Sequence, residues 1–187
     1  MRIIDARVLT ATAVLFLPPA AHACPTGWTP SPASATCFRV PPERSPSFFR
    51  CVDLCKEHGG IPACIGSVEE NEFVTAKLVA ADGLWLGLYQ NETGFGRAEG
   101  WDRCVAGDAP SFTNWHEGQP DDYDGYQEDC ASLDARTGQW RDLECDLPVI
   151  WSVYFELSCL CARGNVSDAF PEDLEALEAT LAYNQRL

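Results

Sequence analysis

FTNWHEGQPDDYDGYQEDCASLDARTGQWRDLEC, the sequence of residues 112–145, carries the pattern that decides the interpretation of the whole chain. Residues 117–129 contain no Lys or Arg, and Gly118, Pro120 and Gly125 rule out a regular helix or a central strand there. We therefore predict a loop. Six carboxylates crowd onto it: Glu117, Asp121, Asp122, Asp124, Glu128 and Asp129.

Crowded carboxylates repel one another, and a divalent cation with oxygen ligands relieves the repulsion. Ca²⁺ accepts about six to eight oxygens in irregular geometry, which suits a loop better than the octahedron of Mg²⁺. The alternative is a solvated acidic loop without a metal. A disulfide between Cys130 and Cys145 would fix the far end of the loop, and Asp142 lies where its carboxylate can reach back.

Residues 1–23 are expected to be a secretory signal. A mostly apolar run at 8–17 follows two arginines, and Ala21-His22-Ala23 has the small-x-small cleavage pattern. The run is about half of the roughly 20 residues that a membrane span needs, and no later segment is long enough. We predict a secreted, soluble protein whose mature form begins near Cys24.

All ten cysteines follow that cut, and an even number in an exported chain predicts five disulfides. Zinc binding is the weaker alternative, because there is no Cys-x-x-Cys pair and only His58 and His116 remain after cleavage. Asn91 and Asn165 begin Asn-x-Ser/Thr triplets and are expected glycosylation acceptors.

The formal net charge of -15 argues against a nucleic-acid partner or an anionic membrane, since either would need a basic face. Partners should be neutral, cationic or bridged by a metal.

Periodicity and turn residues predict two helices among several short strands. The first helix should begin at Ser45-Pro46 and run to about His58, and the second should run from Ser67 to about Ala81. Residues 90–138 are predicted to be mainly a long functional or metal-ordered loop region. Strands are predicted within 24–40 as a hairpin, at 84–89, 131–134 and 139–144, and as one strand at 150–161.

The cysteine spacings predict a particular cross-link. Cys51 and Cys55 share one face of the first helix about 6 Å apart, and Cys159 and Cys161 share one face of the last strand about 6.8 Å apart. We expect two side-by-side disulfides between that helix and that strand, with the pairing open. The hairpin would be closed by Cys24–Cys37, which leaves Cys64–Cys104.

Several motifs occur in the order typical of C-type lectin-like domains, which the chain resembles from about Cys24 to Cys161. These motifs are Trp85-x-Gly87-Leu88, Asn114-Trp115, Gln119-Pro120-Asp121, Glu128-Asp129-Cys130 and Trp140-x-Asp142 before Cys145. The resemblance implies an α+β fold of two helices and two small antiparallel sheets, with a long calcium-binding loop region. The domain would span 24–163, and the acidic tail at 164–187 is either an amphipathic helix that could support homo-oligomers or a frayed end.

The resemblance also implies bridges and ligands. Cys130–Cys145 matches a family bridge, and Cys161 becomes the favoured partner of Cys55, which leaves Cys51 for Cys159. In the family, Gln-Pro-Asp goes with galactose-type sugars and Glu-Pro-Asn with mannose-type sugars. The implied calcium ligands are Gln119, Asp121, Glu128 and Asp142. Of these, Gln119, Asp121 and Glu128 would also bind the sugar, with Tyr123, and second Tyr126, as rings that would stack on it.

One residue departs from the family pattern. Where the family has Trp-Asn-Asp, this chain has Trp140-Arg141-Asp142, and an Arg side chain offers no acceptor oxygen. Arg141 would either point to solvent and leave the calcium in place, or fork onto Asp121 or Asp142 and replace the cation. We expect retained calcium, because one Arg cannot balance the acidic cluster.

Three classes of function are compatible with these patterns. The favoured one is a calcium-dependent lectin for galactose-type glycans, and the alternative is a calcium-independent domain for protein or surface recognition with a lost sugar site. An enzyme such as a glycosidase is not expected, because the acidic residues crowd one loop rather than face each other across a cleft.

Overall fold

The computed structural model describes residues 24–79, 81–90, 96–146 and 157–164. The predictions for the signal segment, for the tail beyond Gly164 and for the glycosylation acceptors Asn91 and Asn165 lie outside the described residues. Two helices are described, α1 (Phe48–Glu57) and α2 (Val68–Lys77). The described strands are β1 (Thr29–Pro30), β2 (Cys37–Arg39), β3 (Ile61–Pro62), β4 (Gly83–Tyr89), β5 (Arg103–Cys104), β6 (Gly107–Asp108), β7 (Cys130–Asp134), β8 (Trp140–Leu143), β9 (Leu157–Cys159) and β10 (Cys161–Arg163).

The strands form two sheets. The smaller sheet has the order β1-β2-β10-β3 and is antiparallel, so the predicted N-terminal hairpin lies beside the last described strand. The larger sheet has the order β6-β5-β4-β7-β8, and β9 pairs in parallel with β4. The predicted α+β architecture of two helices and two small sheets is confirmed, with β4–β9 as a parallel exception.

Both helices begin at a serine cap. The prediction that the first helix begins at Ser45 is wrong by two residues: the Oγ of Ser47 accepts the amide of Arg50 at 3.1 Å, whereas the Ser45 hydroxyl donates to the Ser47 carbonyl. Ser67 caps α2 as predicted, and that helix ends at Lys77 rather than near Ala81.

The last strand differs most from its prediction. The chain changes sheets at Leu160, so Cys159 lies on β9 of the larger sheet and Cys161 on β10 of the smaller one. Four disulfides are formed, and the predicted bond between Cys51 and Cys159 is absent. The bonded pairs are Cys24–Cys37, Cys55–Cys161, Cys64–Cys104 and Cys130–Cys145.

Cys51 and Cys159 nevertheless lie close together. Their sulfurs and that of Cys55 all fall within 4.8 Å of one another, and all three residues are fully buried. Burial raises the pKa of the Cys51 thiol well above its usual value. The helix-to-strand cross-link is therefore one disulfide, Cys55–Cys161, beside two buried thiols. The spacing argument placed Cys159 and Cys161 on one face of a single strand, whereas they lie on different sheets.

Trp140 on β8 connects the core to the long loop. Its ring is 2% exposed, and its indole N–H donates to the side-chain oxygen of Asn71 on α2 at 2.8 Å. The rings of Phe112 and Trp115 approach it edge to face at centroid distances of 5.6 and 5.9 Å. The first part of the loop is thus packed on the sheet through aromatic contacts.

Candidate metal and ligand site

The segment before the acidic run is held against β8 by its backbone. The amide of His116 donates to the carbonyl of Trp140 at 2.8 Å, and the amide of Gln119 donates to the carbonyl of His116 at 2.9 Å. The Gln119–Pro120 peptide is cis. The side-chain oxygen of Gln119 accepts the amide of Asp142 at 3.2 Å, so this side chain lies directly beside β8.

Asp142 organises the turn that follows the proline. One of its carboxylate oxygens accepts the amides of Asp121 and Asp122, each at 2.9 Å. Asp122 has a positive φ of 45°, which lets both amides point at the same carboxylate. Asp142 is 1% exposed, and so the sheet holds a buried anion beneath the loop.

Glu128 closes the loop from the other side. Its carboxylate accepts the amide of Tyr123 at 2.9 Å, and its own amide donates to the carboxylate of Asp122 at 3.3 Å. Cys130, two residues later, begins β7 and is bonded to Cys145. The Cys130–Cys145 disulfide therefore fixes the start of β7, which directly follows the acidic run.

Three acidic side chains meet at this point. Asp121, Glu128 and Asp142 each place a carboxylate oxygen within 4.8 Å of the others. Glu128 is 9% exposed, and among the described residues Asp121 Oδ1 is a buried oxygen without a hydrogen-bond partner. An orphaned anionic oxygen in such a cluster is costly unless a cation balances it.

The pKa values record the same crowding. Burial, and secondarily the neighbouring carboxylates, raise the pKa of Glu128 to about 7, although the amide of Tyr123 opposes the shift. Burial likewise raises the pKa of Asp142 to about 6 and that of Asp129 to about 6. Ionising all of these groups together is therefore opposed near neutral pH, and a cation bound among them would favour their ionised forms.

The donor set fits a hard divalent cation. Three carboxylates and the amide oxygen of Gln119 are the oxygen ligands that Ca²⁺ takes, and the described residues around the cluster add no sulfur or imidazole to it. The carboxylates of Asp121, Glu128 and Asp142 would hold the ion, and Gln119 would complete the set by turning its amide oxygen from the Asp142 amide.

Arg141 does neither of the two things expected of it. Its guanidinium pairs with Asp134 at 2.8 Å, and its side chain is 36% exposed. Successive residues of a strand point to opposite faces, so Arg141 leaves β8 on the side away from Asp142. It therefore neither occupies the acidic cluster nor lies free in solvent.

The two predicted stacking residues lie on the surface of the loop. Tyr123 begins a single 3₁₀ turn, Tyr123–Gly125, and is 64% exposed, while Tyr126 directly after it is 56% exposed. These are two of the three large hydrophobic side chains that are exposed in the described part of the chain. Their rings are available to a ligand from solution.

Sequence reasoning missed one residue at the rim of the site. Arg97, 24 positions before Asp121, places its guanidinium 3.4 Å from the Asp121 backbone oxygen. No local pattern predicts such a contact, because it depends on how the long loop region folds back on itself.

Comparisons with known proteins identify the family and the fold. The sequence model of the family described as "Lectin C-type domain" matches residues 44–151, more than half of the chain. The chain belongs to the C-type lectin domain family.

The chain is also similar to curated proteins. The chain is 31% identical over 123 residues to human "C-type lectin domain family 4 member G", a match that covers 66% of this chain and 39% of that protein. It spans less than half the length of the curated relatives that it matches.

Two solved structures share the fold. The mouse scavenger receptor C-type lectin carbohydrate-recognition domain aligns with a TM-score of 0.60 and 25% identity, over 76% of this chain and 99% of that one. A structure described as a calcium-independent type II antifreeze protein aligns with a TM-score of 0.60 and 21% identity, over 77% of this chain and 96% of that one. At that identity the second likeness concerns the fold alone.

Proposed function

We propose that this domain is a secreted, calcium-dependent glycan-binding module with galactose-type specificity. One observation carries the proposal: three carboxylates converge beside the cis Gln119–Pro120 peptide and leave a buried oxygen of Asp121 without a partner. A binding role also agrees with the family, and with carboxylates that converge on one point instead of facing each other across a cleft.

Bound calcium would supply two coordination positions for vicinal sugar hydroxyls. The protein's own residues do the rest. Asp121 and Glu128 would accept hydrogen bonds from those hydroxyls, and the amide of Gln119 would donate one. Asp142, which is buried and bonded to two loop amides, would keep the turn in the conformation that presents Asp121.

The galactose preference rests on the pair around the proline. Gln119 offers both a donor and an acceptor, whereas Asp121 only accepts, and this order is opposite to that of Glu-Pro-Asn. Tyr123, 64% exposed, would cover the apolar C–H face of the sugar, with Tyr126 as the second candidate. Each site should bind weakly, so biological avidity would need several copies, for which the tail could provide the contact.

The proposal is tested by retention on immobilised galactose in millimolar Ca²⁺ and elution by a chelator. The matched variant is the double substitution Gln119→Glu with Asp121→Asn, which keeps side-chain size and reverses the order of donor and acceptor. It should move retention from galactose to mannose resin. Failure of the wild-type domain to bind galactose, or a chelator that elutes nothing, would overturn the proposal.

Export is tested separately. Expressed with residues 1–23 in a secreting cell, the protein should appear in the medium with an N-terminus near Cys24. Loss of mass on treatment with an N-glycosidase would reveal use of Asn91 or Asn165.

A second candidate, calcium-independent recognition of a protein or surface, has one observation in its favour. The carboxylates of Asp142, on β8, and of Glu128 accept backbone amides of the loop, so the protein itself supplies hydrogen-bond partners for both. No retention on glycan resin, combined with protein binding that is unchanged by chelator, would select this alternative.

A further inference from the structure

An exposed arginine lies at the edge of the candidate sugar site. Arg97 donates from its guanidinium to the backbone oxygen of Asp121, the residue after the cis-proline, at a long 3.4 Å. Arg141 is bound to Asp134 and faces away, whereas Arg97 reaches this rim.

The segment that carries Arg97 is anchored rather than free. The indole N–H of Trp101 donates to the carbonyl of Arg97 at 3.0 Å, and the Trp101 ring meets that of Trp115 edge to face at 4.8 Å. Gln90 is 4% exposed and its amide N–H donates to the carbonyls of Gly96 and Glu99, at 3.2 and 2.6 Å. These contacts fix the starting point of the side chain close to the site.

The same anchor is connected to the acidic run. The backbone amide of Gln90 donates to the carbonyl of Asp129, the neighbour of Glu128, at 2.8 Å. Arg97 and the candidate metal ligands thus belong to one hydrogen-bonded unit.

Arg97 does not act as the counterion of the acidic cluster. Within the described residues its contact is a backbone carbonyl, and no carboxylate of Asp121, Glu128 or Asp142 pairs with it. A backbone oxygen satisfies at most part of a guanidinium, which offers five N–H donors in a planar fork. In a chain of net charge -15, a cation left with spare donors beside a ligand site is suited to an anionic group of the ligand.

We propose that Arg97 makes this domain select galactosides that bear an anionic substituent, a sulfate or a carboxylate, held by the Arg97 guanidinium beside the candidate metal site. The inference rests on the proposed lectin function and names its ligand class. Tyr123 and Tyr126, exposed on the same loop, would meet the apolar body of the sugar, while the guanidinium would meet the acid.

The test compares ligands that all keep the vicinal ring hydroxyls free. These are methyl galactoside, its 6-sulfate, and methyl galacturonide, which carries a carboxylate at the same carbon. Titration in Ca²⁺ should show about two- to fivefold tighter binding of both acids, the range expected for a solvent-exposed ion pair. The preference should shrink as NaCl is raised from about 0.05 to 0.5 M.

Arg97→Gln should bring the ratio of acidic to neutral affinity close to one. The matched control is Arg136→Gln: Arg136 is 88% exposed and lies beside Asp134, at the end of β7 away from the loop. The Arg136→Gln substitution removes the same charge from the chain and should leave the ratio of acidic to neutral affinity unchanged. In NMR spectra, the Arg97 Nε–H signal should shift on addition of the 6-sulfate and not of the neutral sugar.

The possible failures are distinguishable. Equal binding of neutral and acidic galactosides by the wild type, or a preference that survives Arg97→Gln, overturns the role of Arg97 and leaves the lectin function standing. Absence of calcium-dependent binding to all three ligands overturns both proposals.

Discussion

Two regions of this domain are stabilised by different physical means. In the scaffold, α1 buries Phe48, Val52 and Leu54 at 1% exposure or less, and Cys55–Cys161 ties this helix to the smaller sheet. In the acidic loop, by contrast, the backbone of residues 121–128 is held mainly by amides that donate to two buried carboxylates.

The difference decides which conditions each region responds to. Burial of apolar surface depends little on pH or on metals, so the scaffold should be stable in a chelator. The acidic loop should depend on both pH and metals, because its carboxylates accept backbone amides while repelling one another. If the two regions separate in this way, chelator and pH should affect the acidic loop and leave the scaffold folded.

The largest effect is expected where the regions meet. Trp140→Ala would remove a buried ring that contacts Phe112 and Trp115 and donates to Asn71, leaving a large cavity and an unpaired amide oxygen. We expect a loss of about 3 to 5 kcal/mol in the free energy of unfolding, measured by denaturant titration. A loss below about 1 kcal/mol would mean that β8 does not join the two regions.

Calcium should produce the next largest effect. At about 100 times its dissociation constant, a ligand that binds only the native state adds about 2.7 kcal/mol. We expect a melting temperature several degrees higher in Ca²⁺ than in chelator, and Glu128→Gln should abolish most of this gain while keeping an acceptor for the Tyr123 amide.

The matched control for that substitution is Glu57→Gln. Glu57 lies on the exposed side of α1, where it pairs with Arg50 at 2.9 Å. The Glu57→Gln substitution should leave the calcium-dependent rise in melting temperature unchanged. If Glu128→Gln keeps the full gain, Glu128 is not a metal ligand.

The pH dependence in chelator follows from the raised pKa values of Glu128, about 7, and of Asp142 and Asp129, about 6. The folded state binds protons that the unfolded state releases near pH 4, so stability falls as the pH rises from about 4 to 7. We expect the melting temperature in chelator to be several degrees higher at pH 5 than at pH 7.5.

Calcium should reverse this trend, because the ion binds the ionised carboxylates. Its effect on the melting temperature should be largest above pH 7 and fade below pH 6. Plots of melting temperature against pH that run parallel with and without calcium would contradict the assignment of the acidic cluster as the calcium site.

The scaffold could largely be predicted from sequence. The helices, the serine cap of α2 and the central strand follow from hydrophobic periodicity and turn residues, whereas the cap of α1 lies two residues later than predicted. The α+β arrangement follows from the resemblance to C-type lectin-like domains. What failed there was the strand around Leu160, because a change of sheet is decided by tertiary pairing and leaves no local signal.

The loop could be predicted in composition but not in detail. That carboxylates meet there follows from their density, whereas the partners of Arg141 and Arg97 depend on contacts across strands and across 24 residues of loop. Neither Asp134 for Arg141 nor the Asp121 carbonyl for Arg97 can be inferred from neighbouring residues.

A smaller effect is expected from Cys51→Ala. In the structure Cys51 is a free, fully buried thiol, so removing its sulfur should cost about 1 kcal/mol through the cavity. Titration of the denatured protein should find two thiols. No thiols, with a loss of about 2 to 5 kcal/mol for the substitution, would show that Cys51 and Cys159 are bonded as their spacing predicts.

The smallest effect is expected from Arg141→Gln, although this residue is the clearest departure from the family pattern. The substitution breaks a partly exposed ion pair with Asp134, worth about 0.5 kcal/mol, and touches none of the oxygens of the acidic cluster. Calcium affinity, measured by titration calorimetry, should change by less than about threefold. A tenfold gain would show that Arg141 opposes the cation after all. In that case Arg141 and Asp142 would not act independently from opposite faces of β8.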